Sequence, residues 1–561
     1  MNQQYRCPAV SSHRGRSASL PILITFSIVL IGLIFLAPCS AVAQAVFGSI
    51  NGTVTDSTGA IIPNATVTVT DVSKGTSQQV TTNDSGNYTV NRLIPDVYTV
   101  KGEAANFTPA EADNVSVSAD TSPQINLQLQ PAGATQTVTV TTAAPPLKTD
   151  RADVAQVLSS QQVQTLPSLD RNFSQFTLLT PGVQRSSFSI DPTENPQGTV
   201  ATESNGSNYG TVGWVLDGTD NREPVDGLIV INPTLDSISE MKVTSQDYPA
   251  EFGGAVGGVV TAQTRSGSNA FHGDVFEFRR SDAQEARDPF TQFQPDPVTG
   301  KFIPSSVYNQ FGGSLGGPIL KDKAFFFLDY QGTRQRVGTS VQQNVPSALV
   351  RSTCLSGSGT CNLSEYATQV FDPQTGQTYP ANAVPLSVLS PQAITLLNQL
   401  PAPQTTGITN NYVASGNGSN NGDQADVRID HQVTGNIHAF GRYDYANYRL
   451  FGAPVFGAAG GTGFGIGNTT GNDQVQNQSV AAGFDWAIHP NLLTDFRFGF
   501  LAYHVAENKF DTGTAPATAA GIPNLNTSAG DTSGSPSYDF LNGAISNFGN
   551  QGCNCPLLES E

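Results

Sequence analysis

The sequence predicts an all-β-dominated fold, and three observations carry that reading. Long runs alternate apolar and polar residues with a period of two, as in Ala425, Val427 and Ile429 against Asp426, Arg428 and Asp430. Clusters of Gly, Asn, Asp and Ser punctuate these runs as turns. Only 13% of the 561 residues are charged and 38% hydrophobic, with 55 glycines, which is wrong for a helical enzyme and right for strands with one polar face. Disorder is the competing reading, and the many Val, Ile, Phe and Tyr in alternating positions argue against it. Length alone suggests three or four domains. The net charge of −18 comes without any basic patch, which excludes a nucleic-acid footprint.

Residues 1–43 read as a signal peptide. Arg14 and Arg16 flank the apolar run Leu20–Leu36, and Ala41-Val42-Ala43 offers small residues at a cleavage site. A transmembrane helix is the rival, and the A-x-A site directly behind the run favours cleavage. No other stretch reaches 18 apolar residues, so a bundle of spanning helices is excluded.

Residues 46–130 read as a small β-sandwich. Ile50, Gly52 and Val54 alternate with polar residues, Asp56-Ser57-Thr58-Gly59 turns, and Val67 and Val69 resume the alternation. Asn83-Asp84-Ser85-Gly86 turns again before Tyr88, Val90, Tyr98 and Val100, and Ile125, Leu127 and Leu129 close the unit. The phrases GTVTDSTGAIIPNATVTV and TTNDSGNYTVNRLIPDVYTV resemble the carboxypeptidase regulatory-like domain, a carbohydrate-binding-like fold. The span contains no His, so a His-containing carboxypeptidase site has no place here.

Residues 150–268 read as a glycine-rich unit whose end falls within EFGGAVGGVVTAQTRSGSNAFHGDVFEFRR, Glu251–Arg280, where a longer β-rich part begins. Its first part can pack closely in a sheet, and Ser266-Gly267-Ser268-Asn269 breaks the pattern with a turn. Together with NQFGGSLGGPI at Asn309–Ile319, this resembles the plug-to-barrel junction of Oar-like TonB-dependent outer-membrane receptors. VLSSQQVQTLPSLDRNFSQFTLLTPGV and LDSISEMKV are similar to plug segments of the same family. Asp170 stands where that family usually has glycine. The resemblance covers residues from about 46 to 500 and implies an α/β plug inside a barrel.

Between sandwich and plug, residues 131–149 are a linker. Its run Thr137, Val138, Thr139, Val140, Thr141 and Thr142 looks like a TonB box, which works by adding a strand to a periplasmic partner. An ordinary extended linker or plug strand is the equal alternative.

From residue 270 to 561 the chain makes long alternating hairpins. Val480, Ala482, Phe484, Trp486 and Ile488 turn through His489-Pro490-Asn491 into Leu492, Phe496, Phe498 and Phe500. Strands that are apolar outside and polar inside, with short turns at one end and the long stretch Tyr330–Asp423 at the other, signal an antiparallel transmembrane β-barrel of the outer membrane. Cys354 and Cys361 lie in that long loop, close enough in sequence to close a disulfide in an oxidising compartment. Barrels of the resembled type close with about 22 strands, and residues 270–561 hold strands for about eight to ten. The expectation is therefore an incomplete barrel, a fragment of a longer protein.

No catalytic pattern emerges. Gly312–Gly316 fits G-x-S-x-G but lies within a strand, and the glycines Gly253–Gly258 precede no helix. Six scattered histidines suggest no metal site. Asp217, Asp220 and Asp226 lack EF-hand spacing and read as a solvated turn. No cofactor and no enzyme activity are expected. The resemblance implies a receptor that moves an unidentified ligand (oligosaccharide, siderophore or peptide) across the outer membrane. Its partners would be outer-membrane lipid and a TonB-type energy-coupling protein. The alternative is a barrel-anchored surface protein that binds carbohydrate or adheres without transport.

Overall fold

The computed structural model describes residues 47–560 except 120, 133–151, 188, 189, 191, 294, 296–299, 357, 358, 490, 491, 529–531, 541 and 552–556. Strands dominate it, in three successive assemblies. The proposed signal peptide and the TonB-box-like residues Thr137–Thr141 lie outside the described residues.

The first assembly is a sandwich of eight strands: β1 Gly48–Asp56, β2 Thr66–Asp71, β3 Ser77–Thr81, β4 Asn87–Leu93, β5 Asp96–Glu103, β6 Phe107–Thr108, β7 Ala110–Val117 and β8 Leu127–Pro131. One sheet has the order β4-β1-β8-β6 and the other β3-β2-β5-β7. The alternation read from the sequence is the packing: Ile50, Val54, Val67, Val69, Tyr88, Val90, Val100, Leu127 and Leu129 meet between the sheets. The Asp56 turn is held by its own carboxylate, which accepts from the N–H groups of Thr58 and Ala60 at 2.8 and 2.9 Å.

The second assembly contains β9 Val154–Ser159, the short pair β10 Val183–Arg185 and β11 Thr202–Ser204, β12 Gly213–Leu216, β13 Thr219–Asp220, β14 Ile238–Gln246 and β15 Val259–Thr264. Five of these form a mixed sheet in the order β13-β12-β15-β14-β9, with β12 parallel to β15. A short helix, Ser160–Thr165, starts in a capping box between Ser159 and Gln162 and packs its Val163 into the core. Phe173 meets Trp214 edge-on at 5.7 Å. Asp170 adopts φ 62°, the left-handed conformation that glycine takes without strain.

The third assembly is a long sheet. Its strands are β16 His272–Ser281, β17 Val307–Leu320 and β18 Ala324–Gln343. After the small pair β19 Thr360–Asn362 and β20 Ala383–Pro385 come β21 Tyr412–Thr434 and β22 Ile437–Gly452. Beyond the two-residue β23 Gly460–Gly461 lie β24 Gly471–His489 and β25 Leu492–Asn508, then β26 Ser537–Tyr538, β27 Phe548–Asn550 and β28 Leu557–Ser560. Eight strands pair antiparallel in the order β16-β17-β18-β21-β22-β24-β25-β28. Among the described residues β16 and β28 do not pair with each other, so the sheet is open.

The two faces of this sheet differ as membrane insertion requires. Val427, Ile429, Val480, Phe484, Trp486, Phe496, Phe498 and Phe500 point outward and are exposed. Gln424, Asp426, Arg428, Asp430, Arg442, Asp444, Asn477 and Ser479 point inward and are buried against the second assembly. The plug core continues into the wall, since Trp214, Leu216, Ile229 and Ile231 share one cluster with Ala446, Tyr448, Val475 and Tyr503. No helix among the described residues is long and apolar enough to cross a membrane.

Turns and loops segregate. Lys321–Lys323 and Gly435-Asn436 join hairpins at one end, where the sandwich lies. The described residues of 344–411, 453–470 and 509–551 rise from the other end, where Val345, Leu396, Phe456, Phe464, Ile545 and Phe548 form a core of their own.

Candidate functional site

Three sets of residues tie the assemblies together, and the first is a buried ion cluster between plug and wall. The turn after β12 places Asp217 at φ 49° with its carboxylate facing the wall. Arg428 of β21 donates Nη1 to Asp217 Oδ1 at 2.9 Å, and Arg442 of β22 donates to Oδ2. Each arginine also grips an aspartate two residues along its own strand, Arg428 with Asp430 and Arg442 with Asp444, both at 2.8 Å. Thr264 at the end of β15 completes the set, donating N–H at 2.8 Å and its hydroxyl at 2.7 Å to Asp217. Burial alone would push the Asp217 carboxyl up, but Arg428 and Arg442 outweigh it and hold the group below the usual carboxylate range. Asp217 is therefore no solvated turn: it is 3% exposed, and the turn serves to aim it at two arginines. Asp220 is exposed and pairs with Arg222 at 3.0 Å, and Asp226 is exposed.

The second set lies on the long-loop side of that cluster. A cavity of about 560 Å³ opens between plug segments around Arg171 and Asn195–Ala201 and the wall strands β17, β18, β21 and β22. Its wall residues are in register: Gln331 stands opposite Gln424, and Gln335 opposite Asn420. The lining is mostly amides and hydroxyls. Arg171, at its edge, is engaged by Asp236 at 2.6 Å and lies over the Phe276 ring at 4.3 Å.

The third set docks the sandwich on the short-turn end. Asn269, in the turn between plug and wall, donates to Lys74 O and to Asp322 Oδ1, both at 2.7 Å, and its N–H reaches Ser73 O at 3.0 Å. Next to it, a Cβ on Gly267 would run into the carbonyl oxygens of Phe326 and Gly317, so only glycine lets the two glycine-rich motifs meet here. Arg92 of β4 reaches Asp485 of β24 and Asp495 of β25. Glu240 of β14 accepts the Ala119 N–H at 2.6 Å. Burial raises the Glu240 carboxyl to about 7, against the opposing pull of the Ala119 and Ser118 hydrogen bonds and of Lys242.

Of the residues singled out from sequence, Cys354 and Cys361 stand with their Sγ atoms at bonding distance, 2.11 Å, in a small core with Val350, Leu355 and Val384. His438 lies between Asp430 and Asp485 at 3.1 and 3.5 Å, inside the sheet rather than on an idle surface. Among the described residues no group of three or more His, Cys, Asp or Glu could hold a metal ion. Arg428 was visible only as one member of a polar face. Asp217 and Arg92 gave no sign of their partners.

A sheet with an apolar outer face and a charged inner face, packed around a smaller mixed sheet, defines a plugged, membrane-inserted β-sheet protein. The chain belongs to the outer membrane beta barrel domain family, which matches residues 263–561, and residues 49–130 match the carboxypeptidase regulatory-like domain. It is similar to the TonB-dependent transporter Oar of Myxococcus xanthus, with 27% identity over 278 residues. That match covers 48% of this chain and 25% of the relative, so the chain spans about a quarter of that curated protein. A crystallised mutant of the ferric enterobactin receptor from Pseudomonas aeruginosa shares 11% identity, with coverage of 64% and 42% and a TM-score of 0.37. The outer membrane transporter YddB from Escherichia coli also shares 11%, with coverage of 63% and 39% and a TM-score of 0.37.

Proposed function

We propose that the chain works in the outer membrane as part of a TonB-dependent receptor that moves a ligand past its plug. The observation that carries this is the seating of the plug. A polar, ionic contact at Asp217, Arg428 and Arg442 holds a separate sheet against the inner wall, with a polar cavity on the long-loop side. The seat is mixed: its ion pairs and hydrogen bonds can be exchanged for water when the plug shifts, while Trp214 and Leu216 pack beside them against Tyr448 and Tyr503 of the wall. The similarity to the Myxococcus xanthus transporter supports the same reading.

In this mechanism ligand enters from the long-loop side and rests between plug and wall. A TonB-type protein in the periplasm takes the segment around Thr137–Thr141 and pulls, and the plug yields at the ion cluster. No bond of the ligand is made or broken. The test is accumulation of bound solutes in cells expressing the protein, before and after collapse of the proton gradient. Uptake that survives the collapse would overturn the reading in favour of a passive or purely adhesive role.

A further inference from the structure

The outward face of the wall carries its charges at one level. Across the strands, Arg279 of β16 stands opposite Asn309 of β17, and Asn309 opposite Arg334 of β18. Arg334 stands opposite Asn421 of β21, and Asn421 opposite Arg449 of β22. Residues two apart on a strand share a face, so this row lies on the side of Val427 and Ile429, away from the plug. Arg336 is one outward position nearer the long loops, and Glu277 and Asp423 are one position nearer the apolar band. Among the described residues of β16 to β25, these four arginines and two carboxylates are the only Arg, Lys, Asp or Glu side chains on that face. The level is thus positive, although the chain as a whole has a net charge of −18.

Each arginine of the row follows the apolar band by the same step. The outward apolar run ends at Val275 on β16, at Tyr330 on β18 and at Tyr445 on β22, and the arginine comes one outward position further than the next. Tyrosines at such an edge mark the level of lipid headgroups, and the long-loop end of such a wall faces out of the cell. The cations here are all arginines, whose planar fork fits phosphate, whereas Lys321 and Lys323 lie at the short-turn end. Arg334 is held by Asp423 at 2.8 Å, and Arg279 rests on the Asn309 amide at 2.9 Å. Arg336 and Arg449 make no salt bridge among the described residues. With strands about 4.8 Å apart, the arginines of the row stand about 10 Å from one another with an asparagine between, close enough for two forks to hold one headgroup.

We infer that this row binds the headgroup of a phosphorylated lipid of the outward leaflet, with the arginines on its phosphates and its acyl chains along the apolar band. The site faces lipid and involves neither plug nor transport, so it goes beyond the function proposed above. The test uses the full 561-residue chain in amine-oxide micelles. It is titrated with diphosphoryl lipid A, with the dephosphorylated form of that lipid, with inorganic phosphate and with polyglutamate, and bound lipid is counted by native mass spectrometry. The diphosphoryl lipid should bind at least about tenfold more tightly than the dephosphorylated form, and inorganic phosphate should not displace it. The Arg279→Gln, Arg336→Gln, Arg449→Gln variant breaks no salt bridge. Its affinity should fall by about tenfold or more, while its thermal midpoint stays that of the parent. The Lys321→Gln, Lys323→Gln control removes cations from the other end and should keep the parent's affinity. In the parent chain, equal binding of the two lipids or displacement by inorganic phosphate overturns the inference without any variant. Polyglutamate that binds as tightly as the lipid would make the row a docking face for an acidic protein and overturns it too. An unchanged affinity in the folded triple variant, or an equal loss in the lysine control, overturns the site. None of these readouts involves uptake, so the lipid site and the transport reading fail separately.

Discussion

Arg428 donates to Asp217 across the boundary between wall and plug, 2.9 Å from Nη1 to Oδ1, with both side chains almost wholly buried. The pair is not isolated, because Asp430 holds the far side of the same guanidinium at 2.8 Å. Arg442 repeats the arrangement one strand over with Asp444. Two arginines are thus oriented by aspartates of their own strands, so that their remaining donors converge on one carboxylate of the plug. Fixing the guanidinium planes in advance is what lets a single plug residue be gripped by both.

Replacing Asp217 with Asn should therefore loosen the plug rather than unfold the wall. The change removes one of three carboxylates around two buried arginines and leaves Arg428 with Asp430 and Arg442 with Asp444, so the loss falls on the charge-assisted bonds across the boundary, on the order of 1–3 kcal/mol. Limited proteolysis of the detergent-solubilised chain should cut within the plug at least tenfold faster than in the parent. Equal cutting rates would mean that the apolar contacts around Trp214 and Tyr448 seat the plug alone.

The folded state should lose stability as pH rises through the titration of Glu240, because burial disfavours its charged form by more than the Ala119 N–H bond favours it. The carboxyl titrates near 7 in the folded chain and near 4.5 when unfolded, so the folded state holds its proton more tightly. The stabilisation is full below about pH 4.5 and is lost as pH climbs through 7. The size is on the order of 3 kcal/mol. Thermal midpoints of the parent should fall across that window, and those of Glu240→Gln should not follow. Parallel pH profiles for the two would remove Glu240 as the cause.

The wall and the sandwich were legible because both are half-buried sheets, where a period of two separates faces without reference to any partner. Val427 and Ile429 against Asp426 and Arg428 told which side faces lipid. They did not tell what Arg428 touches, since its partner lies 211 residues away. Asp217 was misread because Leu216-Asp217-Gly218 has the chemistry of a surface turn. It is a turn, but one whose carboxylate points inward. One local signal was available: Arg428-Ile429-Asp430 and Arg442-Tyr443-Asp444 repeat an Arg-x-Asp pattern on consecutive strands, which puts both charges on the inner face. A repeated inward ion pair at the same level asks for a further anion. For Asp170 the departure from glycine changed nothing in the backbone, since Asp tolerates the left-handed conformation it adopts at φ 62°.

In the exported protein Cys354 and Cys361 should be joined. Mass spectrometry of non-reduced tryptic peptides should find them linked, and two free thiols would reject the pairing. With a sequence separation of 7, the closed loop is short and the gain is about 2 kcal/mol. Reduction should relax the small core around Val350 and Val384 and leave the wall intact.

Val138→Pro or Val140→Pro should abolish energised uptake and leave ligand binding unchanged. Proline removes a backbone donor and so blocks strand addition to a periplasmic partner. Unaltered uptake would make residues 137–142 a plain linker.

The last prediction concerns Arg92, which joins the sandwich to the wall. Its guanidinium reaches Asp485 and Asp495 and lies 4.6 Å from the centre of the Phe47 ring. Asp485 is also held by Arg497 at 2.6 Å and faces His438 at 3.5 Å. Removing Arg92 therefore strips one of several partners from Asp485 and leaves that aspartate paired within the wall. The wall should keep its stability, and the sandwich should lose its most buried ionic anchor. Arg92→Gln keeps a long polar side chain at a position where the backbone has φ 61°, so local folding of β4 is not the variable. Hydrogen exchange at the turn Gly435-Asn436, which lines the same small pocket as Arg92, should rise in the variant while exchange in the sandwich core stays low. Combining Arg92→Gln with Asp485→Asn should give a coupling of about 1–3 kcal/mol. If the two changes were additive, the sandwich would be held by Asn269 and Glu240, and the Arg92 contact would be incidental.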